Sequence, residues 1–562
     1  MKPLMRIFNK LSFLFPTRKK KQFTLKNKGK KKDHDLAVDY RDISEREADF
    51  QKTPLVVNLE DNLRTITDLT GGSYDLNIKR CLAGPKEVNV AVVFFDGMVN
   101  KESIDDLLRI VNLETFKTVI EGVHKKEIYD TVKKRLITTK LREADDMENL
   151  YEGISLGDTA LLFDGTAKGI LCETRGWDYR AIMEPEAETT IRGPREGFIE
   201  NLRVNTSLIR RRIRSPNLWI ESINIGSLTK TEVAYAYIKG LAGEELLEEV
   251  RSRLEHIDID GVLESGLIEE FIRDAPYSLF PTTFRTERPD IVSAALLEGR
   301  VAILTNGTPF VVIVPGDFLM FLQAPDDYNE LFPIGSLIRT LRIFSFLLSI
   351  FLPGLYVAIL NYHPELLPTT LILTIQATRE GVPFPVVAEI LIMELAFEIL
   401  REAGLRLPRA IGPAISIVGA LILGEAAIRA GIVSPGVVII VAFTAIASFS
   451  TPTFSMAISA RMIRFLIVIL GGTFGLLGIQ LGFLIMIIHL VSLRSFGYPY
   501  MAPYGPFIWS DMKDNIIRNL WWKLVKRPRL LGFREPQRQP SGQGPRLPTA
   551  SKGPYRRNRK RR

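Results

Sequence analysis

Long apolar runs fill the chain from about residue 337 to residue 493, whereas the preceding part mixes apolar and charged positions. Four of these runs have the hydrophobicity and approximate length of a membrane-spanning helix, which needs roughly 20 apolar residues. They are Ile343–Leu360, Ile411–Ala427, Val437–Ser450 and Phe465–Leu493. The last run exceeds one untilted crossing, and its five glycines permit either a break or close helix packing.

A fifth segment, Phe384–Leu400, is apolar except for carboxylates where a spanning helix should carry none. Glu389, Glu394 and Glu398 lie inside it and Glu402 follows. On a helix, Glu394, Glu398 and Glu402 fall within an arc of about 80°, and Glu389 stands about 140° from Glu394. Carboxylates within a bilayer are costly and usually functional. We therefore predict a polar face that lines a water-filled cavity or an oligomer axis, where carboxylates favour cations.

Two different explanations of the same carboxylates stay open. The segment could be an interfacial amphipathic helix, although such helices usually carry Lys or Arg on their polar face and this one is acidic until Arg401. The carboxylates could also pair with arginines of the same chain, for example Glu394 or Glu425 with Arg409 or Arg429.

The placement of arginines favours a spanning segment, because basic residues concentrate on the cytoplasmic side of a membrane. If the segment spans, three groups of arginines that flank the apolar runs lie on the cytoplasmic side. These groups are Arg339 and Arg342, then Arg401, Arg406 and Arg409, then Arg461 and Arg464. Five single crossings would leave the basic C-terminus outside. We therefore predict an even number, achieved if Phe465–Leu493 doubles back at its glycines or if Leu366–Ile375 is re-entrant.

The part before the membrane half has the pattern of a soluble α/β domain. Val88–Gly97 and Thr159–Gly165 read as buried strands, and charged helical stretches lie between them. This alternation predicts a sheet that is at least partly parallel. A Pro/Gly-containing loop at Pro185–Gly197 divides the domain in two. Asn306-Gly307 lies between two apolar runs and predicts a tight hairpin turn.

The predicted fold class is a soluble α/β N-terminal domain of two subdomains, followed by an all-α polytopic transmembrane domain. The predicted boundaries are a basic tail over 1–35, subdomains over 36–190 and 191–335, the transmembrane domain over 336–495, and a basic Pro/Gly-rich tail over 496–562.

Net positive charge is confined to the two termini. Residues 1–32 carry +12 and residues 513–562 carry +14; since the whole chain carries +9, the middle carries −17. Basic tails beside membrane spans suit anionic lipid or a positive-inside anchor. We expect no nucleic-acid partner, because no recognition module accompanies the charge. The N-terminal segment lacks a signal-peptide pattern and is expected to stay in the cytoplasm uncleaved.

No motif in the chain supports catalysis. Gly153–Gly157 matches G-x-S-x-G around Ser155, but a helical stretch precedes it and a strand follows, the reverse of a nucleophile elbow. The five histidines and two cysteines show no metal-ligand spacing, and no phosphate-binding loop is present. We expect neither enzyme activity nor a cofactor or metal.

Several long stretches together resemble the A subunits of GerA-type spore germinant receptors, and the resemblance covers most of residues 60–510. They include "RGPREGFIENLRVNTSLIRRRI" (Arg192–Ile213), "DAPYSLFPTTFRTERPD" (Asp274–Asp290), "ALLEGRVAILTNGTPFVVIVP" (Ala295–Pro315), "FLQAPDDY" (Phe321–Tyr328) and "REGVPFPVVAEILIMELAFEILREAGLRLP" (Arg379–Pro408).

The resemblance implies a protein of the spore inner membrane. We expect a multi-pass protein whose N-terminal domain and C-terminal tail lie on the cytoplasmic (core) side, as the placement of basic residues indicates. The resemblance also implies partnership with a transporter-like B subunit and a lipoprotein C subunit, and assembly of the A subunit into an oligomeric ion channel. Two motif segments are candidates for a structural or coupling role: Arg192, Gly193, Pro194, Arg195 and Gly197, and Glu287, Arg288, Pro289 and Asp290. The accessory stage V sporulation AF-type proteins share these motifs. The sequence is also compatible with a secondary transporter or a membrane-anchored scaffold.

Overall fold

The computed structural model describes residues 53–83, 88–112, 140–176, 192–406, 423–531 and 536–545, together with 129–130, 132–134, 136, 184–185, 188 and 190. Two β-sheet subdomains come first, a helical bundle follows, and a C-terminal segment returns to the second subdomain. The predicted basic tail over 1–35 lies outside the described residues.

The first subdomain is a five-stranded sheet covered by helices. Its sheet order is β1-β2-β4-β5-β3, and apolar clusters lie on both faces. Strands buried on both faces explain why β4 and β5 read as continuous apolar runs. In chain order the elements are α1 (Leu59–Thr70), β1 (Leu76–Ala83), β2 (Val88–Phe95), α2 (Lys101–Asn112), β3 (Leu141–Ala144), α3 (Met147–Ser155), β4 (Thr159–Phe163) and β5 (Gly169–Cys172).

The second subdomain repeats this plan. Its sheet order is β6-β7-β9-β10-β8, so each sheet holds two sequential hairpins side by side and a short strand at one edge. The elements are α4 (Leu202–Arg212), β6 (Leu218–Ile225), β7 (Thr231–Ile238), α5 (Glu244–Glu255), α6 (Ser265–Ile272), β8 (Phe284–Thr286), α7 (Pro289–Leu296), β9 (Val301–Thr305) and β10 (Val311–Val314).

The prediction of a partly parallel sheet was wrong. Every strand pair within the two described five-stranded sheets is antiparallel. Strands joined by short loops pair antiparallel, whereas parallel pairing needs a long crossover between each pair. The helices lie between hairpins rather than between every two strands, and the sequence pattern does not separate these arrangements.

The strands predicted around Asn306-Gly307 do form an antiparallel hairpin, with Val312 opposite Ile303. The connection is five residues long, from 306 to 310, rather than a two-residue turn. Gly307 has a φ of 93° and its backbone N–H donates to the Glu200 carbonyl. The Asn306 side chain accepts a hydrogen bond from the Leu202 backbone N–H, so this turn also holds the start of α4.

A buried arginine joins the two subdomains. Arg210 of α4 is fully buried and binds the carboxylate of Asp75, with Nη2 2.9 Å from Oδ1. The same nitrogen donates to Ser73 Oγ and to the Leu218 carbonyl. Because the guanidinium reaches groups of both subdomains at once, it fixes one against the other.

The helical part contains two helices that are long and apolar enough to cross a membrane, among the residues that the structure describes. They are α9 (Phe332–Tyr362) and α13 (Phe454–Ser492), which contain the predicted spans Ile343–Leu360 and most of Phe465–Leu493. Around them lie α8 (Asp326–Asn329), α10 (Thr369–Arg379), α11 (Val386–Arg406) and α12 (Pro435–Phe449). Helix α12 has 15 residues, fewer than one crossing needs. The predicted span Ile411–Ala427 lies mostly outside the described residues.

Helix α13 doubles back at Gly475, where φ is 62° and ψ is −142°. Ser459 donates a hydrogen bond to the Leu279 carbonyl, and His489 contacts the Ser278 hydroxyl at 2.9 Å. Ser459 and His489 are 30 positions apart in α13, yet their partners are adjacent in the chain. A straight helix would separate them by about 45 Å. The two arms, 454–474 and 476–492, therefore form an antiparallel helical hairpin, one of the two arrangements that the sequence left open.

The helices run between two ends of the bundle, which we call the domain end and the distal end. The domain end lies against the second subdomain, where Thr453 donates to the Phe321 carbonyl. At the distal end the Tyr362 hydroxyl contacts the carbonyl of Gly472, close to the hairpin tip. Helix α9 leads to the distal end, and the second arm of α13 returns to the domain end. The chain therefore enters and leaves the bundle on the same side.

The predicted tail over 496–562 is wrong in its first part. Residues 494–531 pack against the second subdomain, and Phe496, Tyr498 and Tyr500 are buried there. The Tyr500 carbonyl accepts a hydrogen bond from the Phe318 backbone N–H. The apolar anchors are widely spaced among prolines and basic residues, so the composition resembled a solvated tail. We call residues 494–531 the C-terminal strap.

Candidate functional site

Buried ion pairs hold the junction between the α/β domain, formed by the two sheet subdomains, and the helical bundle. Asp327 of α8 accepts from Arg339 Nε at 2.9 Å and forms an ion pair with Arg342 Nη1 at 2.9 Å. Asp327 and Arg339 are almost fully buried, and Arg342 is 8% exposed. A buried pair of this kind is stabilising only while each charge keeps its partner. The arginines that we expected to mark membrane topology therefore also anchor the first long helix to the α/β domain.

The C-terminal strap joins the same junction. Asp514 forms an ion pair with Arg339 Nη1 at 3.1 Å, and its other oxygen accepts from the Tyr328 hydroxyl. Burial, together with the negative charge of Asp514, raises the pKa of Tyr328. Since Arg518 also donates to the Glu330 carbonyl, the strap holds both the loop before α9 and its first turns. No sequence pattern indicated this contact, because the partners lie about 175 residues apart.

The two motif segments predicted to have a structural or coupling role lie against each other. Arg288 is buried, forms an ion pair with Asp290 at 2.7 Å and donates to the Pro194 carbonyl at 3.2 Å. The Glu287 carbonyl accepts from the Phe198 backbone N–H at 2.7 Å. The loop that divides the subdomains is thus fixed to α7 of the second one; Pro289 occupies the first turn of that helix.

The dividing loop also contacts the junction. The side-chain amide of Asn329, just before α9, donates a hydrogen bond to the Arg192 carbonyl of the loop at 2.7 Å. Gly193 has a φ of 150°, and a Cβ there would lie 2.7 Å from the Asn329 amide nitrogen, so the contact requires glycine. Arg195 makes an exposed ion pair with Glu184, and Gly197 lies next to Phe198 in the chain. Nearby, burial raises the pKa of Glu188 to about 7. These contacts connect the subdomain boundary to the start of α9.

In the bundle, Glu394 and Glu398 meet arginines of α13. Arg464 Nη2 lies 3.1 Å from Glu394 and 3.4 Å from Glu398, and Arg461 Nη1 lies 2.7 Å from Glu398. Arg401 adds a contact to Glu398 at 3.6 Å. We call these five residues the bundle charge cluster; it holds two carboxylates and three guanidinium groups.

Glu394 and Glu398 pair with arginines of the same chain, which is one of the explanations that the sequence left open. Their partners are Arg464 and Arg461, rather than Arg409 or Arg429. The Glu394 side chain is 3% exposed and that of Glu398 is 27% exposed. Glu402 is exposed and pairs with Arg406 one turn away. The predicted pore-facing role of these carboxylates stays a prediction, because the structure contains one copy of the chain.

Glu389 lies apart at the distal end and joins three elements. Its carboxylate is fully buried, accepts from the backbone N–H and hydroxyl of Ser434 at 2.7 Å each, and pairs with Arg379 at 3.2 Å. Ser434 is the residue before α12, and Arg379 ends α10, a helix with no buried residue. Glu389 therefore fixes the start of α12 and the end of α10 to α11.

Replacing Glu389 by glutamine should destabilise the distal end. The amide oxygen can still accept both hydrogen bonds from Ser434, but the amide nitrogen then faces Arg379, which loses its charge partner, and we expect this to cost about 1–3 kcal/mol. Thermal unfolding of the purified protein in detergent measures the loss. The matched control is Glu380→Gln, since Glu380 is exposed. Equal melting temperatures for the two variants would contradict the assigned role of Glu389.

The structure gives Ser155 no catalytic setting. It is the last residue of α3, is 1% exposed, and its hydroxyl donates to the Glu152 carbonyl. Within the described ranges, no group of three or more His, Cys, Asp or Glu side chains could hold a metal ion.

Comparison with known proteins gives consistent matches over most of the chain. Residues 64–530 match the model of the family described as Bacillus/Clostridium GerA spore germination protein. Spore germination protein KA of Bacillus subtilis (strain 168) is 45% identical over 90% of this chain and 92% of its own. Spore germination protein GerLA of Bacillus cereus is 38% identical over 84% of this chain and 96% of its own.

Two further proteins are similar to this chain. Stage V sporulation protein AF of Bacillus subtilis (strain 168) is 29% identical over 84% of this chain and 94% of its own. The crystal structure of the N-terminal domain of the A subunit of the Bacillus megaterium spore germinant receptor GerK3 is 33% identical, with a TM-score of 0.38, over 47% of this chain and 98% of that chain.

Proposed function

The chain belongs to the GerA family of Bacillus and Clostridium spore germination proteins, and we propose that it acts as the membrane-embedded A subunit of a spore germinant receptor. In this role it converts nutrient binding by the receptor into germination. The observation that carries the proposal is the chain-long match to germination proteins, combined with a soluble domain locked by buried ion pairs to a long apolar helix.

We place the protein in the spore inner membrane with the soluble domain on the core side. The bundle begins and ends at its domain end, so the N-terminal subdomains and the C-terminal strap share one side of the membrane. The strongly basic terminal regions favour the cytoplasmic face for that side. We propose an even number of crossings, which this arrangement supports, with the two arms of α13 as two of them.

We propose that several copies assemble around an ion path and that the bundle charge cluster borders this path. Glu398 lies between Arg461 and Arg401 and is partly exposed, so it can meet a neighbouring copy or water. Rings of carboxylates around an oligomer axis favour cations, and we propose that Glu398 of each copy contributes to such a ring. The transporter-like B subunit and the lipoprotein C subunit are the proposed partners, and membrane lipid surrounds the bundle.

The second candidate is an accessory germination protein of the stage V sporulation AF type. Identity to protein AF is 29%, below the 45% to protein KA and the 38% to protein GerLA over comparable lengths. This difference favours the receptor A subunit. A secondary transporter is less favoured, because the repeated plan lies in the soluble subdomains and not in the described helices.

Replacing Glu394 and Glu398 together by glutamine tests the ion path. We expect cation release from germinating spores to change at least about tenfold, because contacts to charged groups are worth about 1.5–3 kcal/mol each. Co-purification with the B and C subunits should stay intact. Glu402→Gln is the matched control, since its exposed pair with Arg406 contributes about 0.5 kcal/mol or less.

Two results separate a channel subunit from a transporter. If cation release is unchanged while the variant is present at its normal level, the bundle charge cluster does not border the ion path. Loss of uptake of a solute into vesicles that contain the variant would instead support a transporter.

A further inference from the structure

A cavity of about 440 Å³ lies between the second subdomain and the C-terminal strap. One wall consists of α7 and of residues 315–329, the segment that leads to the first long helix, and the strap supplies the other wall. The volume lies within the range of small-molecule sites in proteins. The proposed function makes no use of this cavity.

The walls of the cavity are mainly apolar. Ile291 and Ala294 of α7 and Met320 line it from the second subdomain, and Trp521 and Leu524 line it from the strap. The side chain of Trp521 is 47% exposed, so packing of the strap leaves part of the indole uncovered. An apolar molecule in the cavity would remove this surface from water, which is favourable.

Five carboxylates also line the cavity, and four of them form ion pairs with arginines. Each of these four charges is therefore compensated within the protein. The pairs are Asp290 with Arg288, Glu298 with Arg538, Asp317 with Arg300, and Asp514 with Arg339.

The fifth carboxylate, that of Asp511 in the strap, has no ion-pair partner within the described ranges. It accepts hydrogen bonds from the Ser510 hydroxyl at 2.6 Å and from the Arg529 backbone N–H at 2.7 Å. Both donors are neutral groups, so they leave the negative charge of Asp511 uncompensated. The cavity thus combines apolar walls with one surplus negative charge.

We propose that this cavity binds a small organic cation, with an ammonium group on an apolar body the size of an aromatic ring. The ammonium group pairs with Asp511 through charge-assisted hydrogen bonds, and the apolar body contacts the walls that include Trp521. A ligand that carries a carboxylate is disfavoured, because its charge would lie near the surplus negative charge of the cavity.

A bound cation would hold the strap against the second subdomain. Ile291 lies on one wall and Asp511 on the other, so one ligand that touches both walls joins them. Asp514 follows Asp511 by three residues in the strap and pairs with Arg339 of α9. Occupancy of the cavity therefore acts on the part of the strap that contacts the first turns of α9.

Three probes of similar size and different charge test the site: phenethylamine, 2-phenylethanol and 3-phenylpropionate. Each is titrated into the purified full-length chain in detergent, and calorimetry and the shift in melting temperature measure binding. We expect the cation to bind at least about tenfold more tightly than the alcohol, because a charge-assisted hydrogen bond is stronger than a neutral one. The anion should bind most weakly.

Two variants assign the binding to the cavity. Asp511→Asn should weaken binding of phenethylamine at least about tenfold and leave the affinity for 2-phenylethanol within about twofold, because only the charged contact is lost. Ala294→Trp fills the cavity from an exposed helix position and should abolish binding of all three probes. The matched control is Asp105→Asn, which removes an exposed carboxylate from α2 and should change no affinity.

Partition of the probes into detergent is the same for every variant, so differences between variants report the cavity. No binding of phenethylamine at about 10 mM would overturn the proposal. So would equal affinities for the cation and the alcohol, equal weakening of both by Asp511→Asn, or unchanged binding by Ala294→Trp. Each readout is binding to the purified chain, so failure here leaves the cation-release test of the bundle charge cluster unaffected.

Discussion

Asp327→Asn should lower the stability of the purified protein by about 3–5 kcal/mol, because it removes the carboxylate between two buried arginines. Arg339 keeps Asp514 as a partner, but Arg342 retains only the Leu322 carbonyl among its described charge or hydrogen-bond partners. The uncompensated charges cannot reach water without moving α9 away from the soluble domain. We expect the melting temperature in detergent to fall by more than about 5 °C, and germination through the receptor to fail.

The neighbouring Asp326 provides the control for this substitution. It lies in the same short helix and makes no ion pair among the residues that the structure describes, so Asp326→Asn should not lower the melting temperature. If Asp327→Asn melts within 1 °C of the unaltered protein, the buried ion pairs at the junction do not hold α9, and the mechanical link assigned to them is wrong.

Gly475→Ala should disrupt the hairpin of α13. The φ of 62° with ψ of −142° lies in a region open to glycine alone, and a Cβ would approach the Tyr362 side chain at 3.1 Å. Backbone strain and overpacking together should cost about 2–4 kcal/mol. We expect loss of the folded protein from the membrane fraction and a lower melting temperature of what remains.

A cysteine pair tests the fold-back itself. A Cβ at Gly482 would lie 2.6 Å from the Ile467 side chain, whereas a continuous helix would place these residues about 22 Å apart. Ile467→Cys with Gly482→Cys should therefore cross-link in the membrane.

Gly381→Ala is the control for the Gly475→Ala substitution, because open space surrounds a Cβ at position 381. Absence of the cross-link, or equal loss from Gly381→Ala, would show that α13 is not a hairpin.

Helical periodicity predicted the relative positions of the glutamates of α11 but not the residues that they contact. The period placed Glu394 and Glu398 on one side and Glu389 apart, and the structure gives them separate partners in that way. The identity of those partners was not predictable. Arg464 lies 70 residues from Glu394 and reaches it because α13 packs against α11, a contact set by the whole bundle.

The position of Arg339 and Arg342 before the first long apolar helix was predictable, but their partners were not. The sequence placed Arg339 and Arg342 at the cytoplasmic end of a membrane helix, a role compatible with the fold. Their burial against Asp327 and Asp514 depended on a short helix just before the span and on a strap about 170 residues later. A composition rich in proline and basic residues concealed the strap, because its few aromatic anchors have no regular spacing.

By itself the sequence determined the division into an α/β half and a helical half, the positions of two long apolar helices, the pairing of the strands on either side of Asn306-Gly307, and the family. Those features depend on hydrophobic length, local turn preference and linear motifs, all of which act between residues close in the chain. Only the tertiary structure decided the antiparallel sheets, the reversal at Gly475, the packed C-terminal strap and the partner of each buried charge. These depend on which surfaces meet in three dimensions, and a buried charge takes the partner that packing brings within reach.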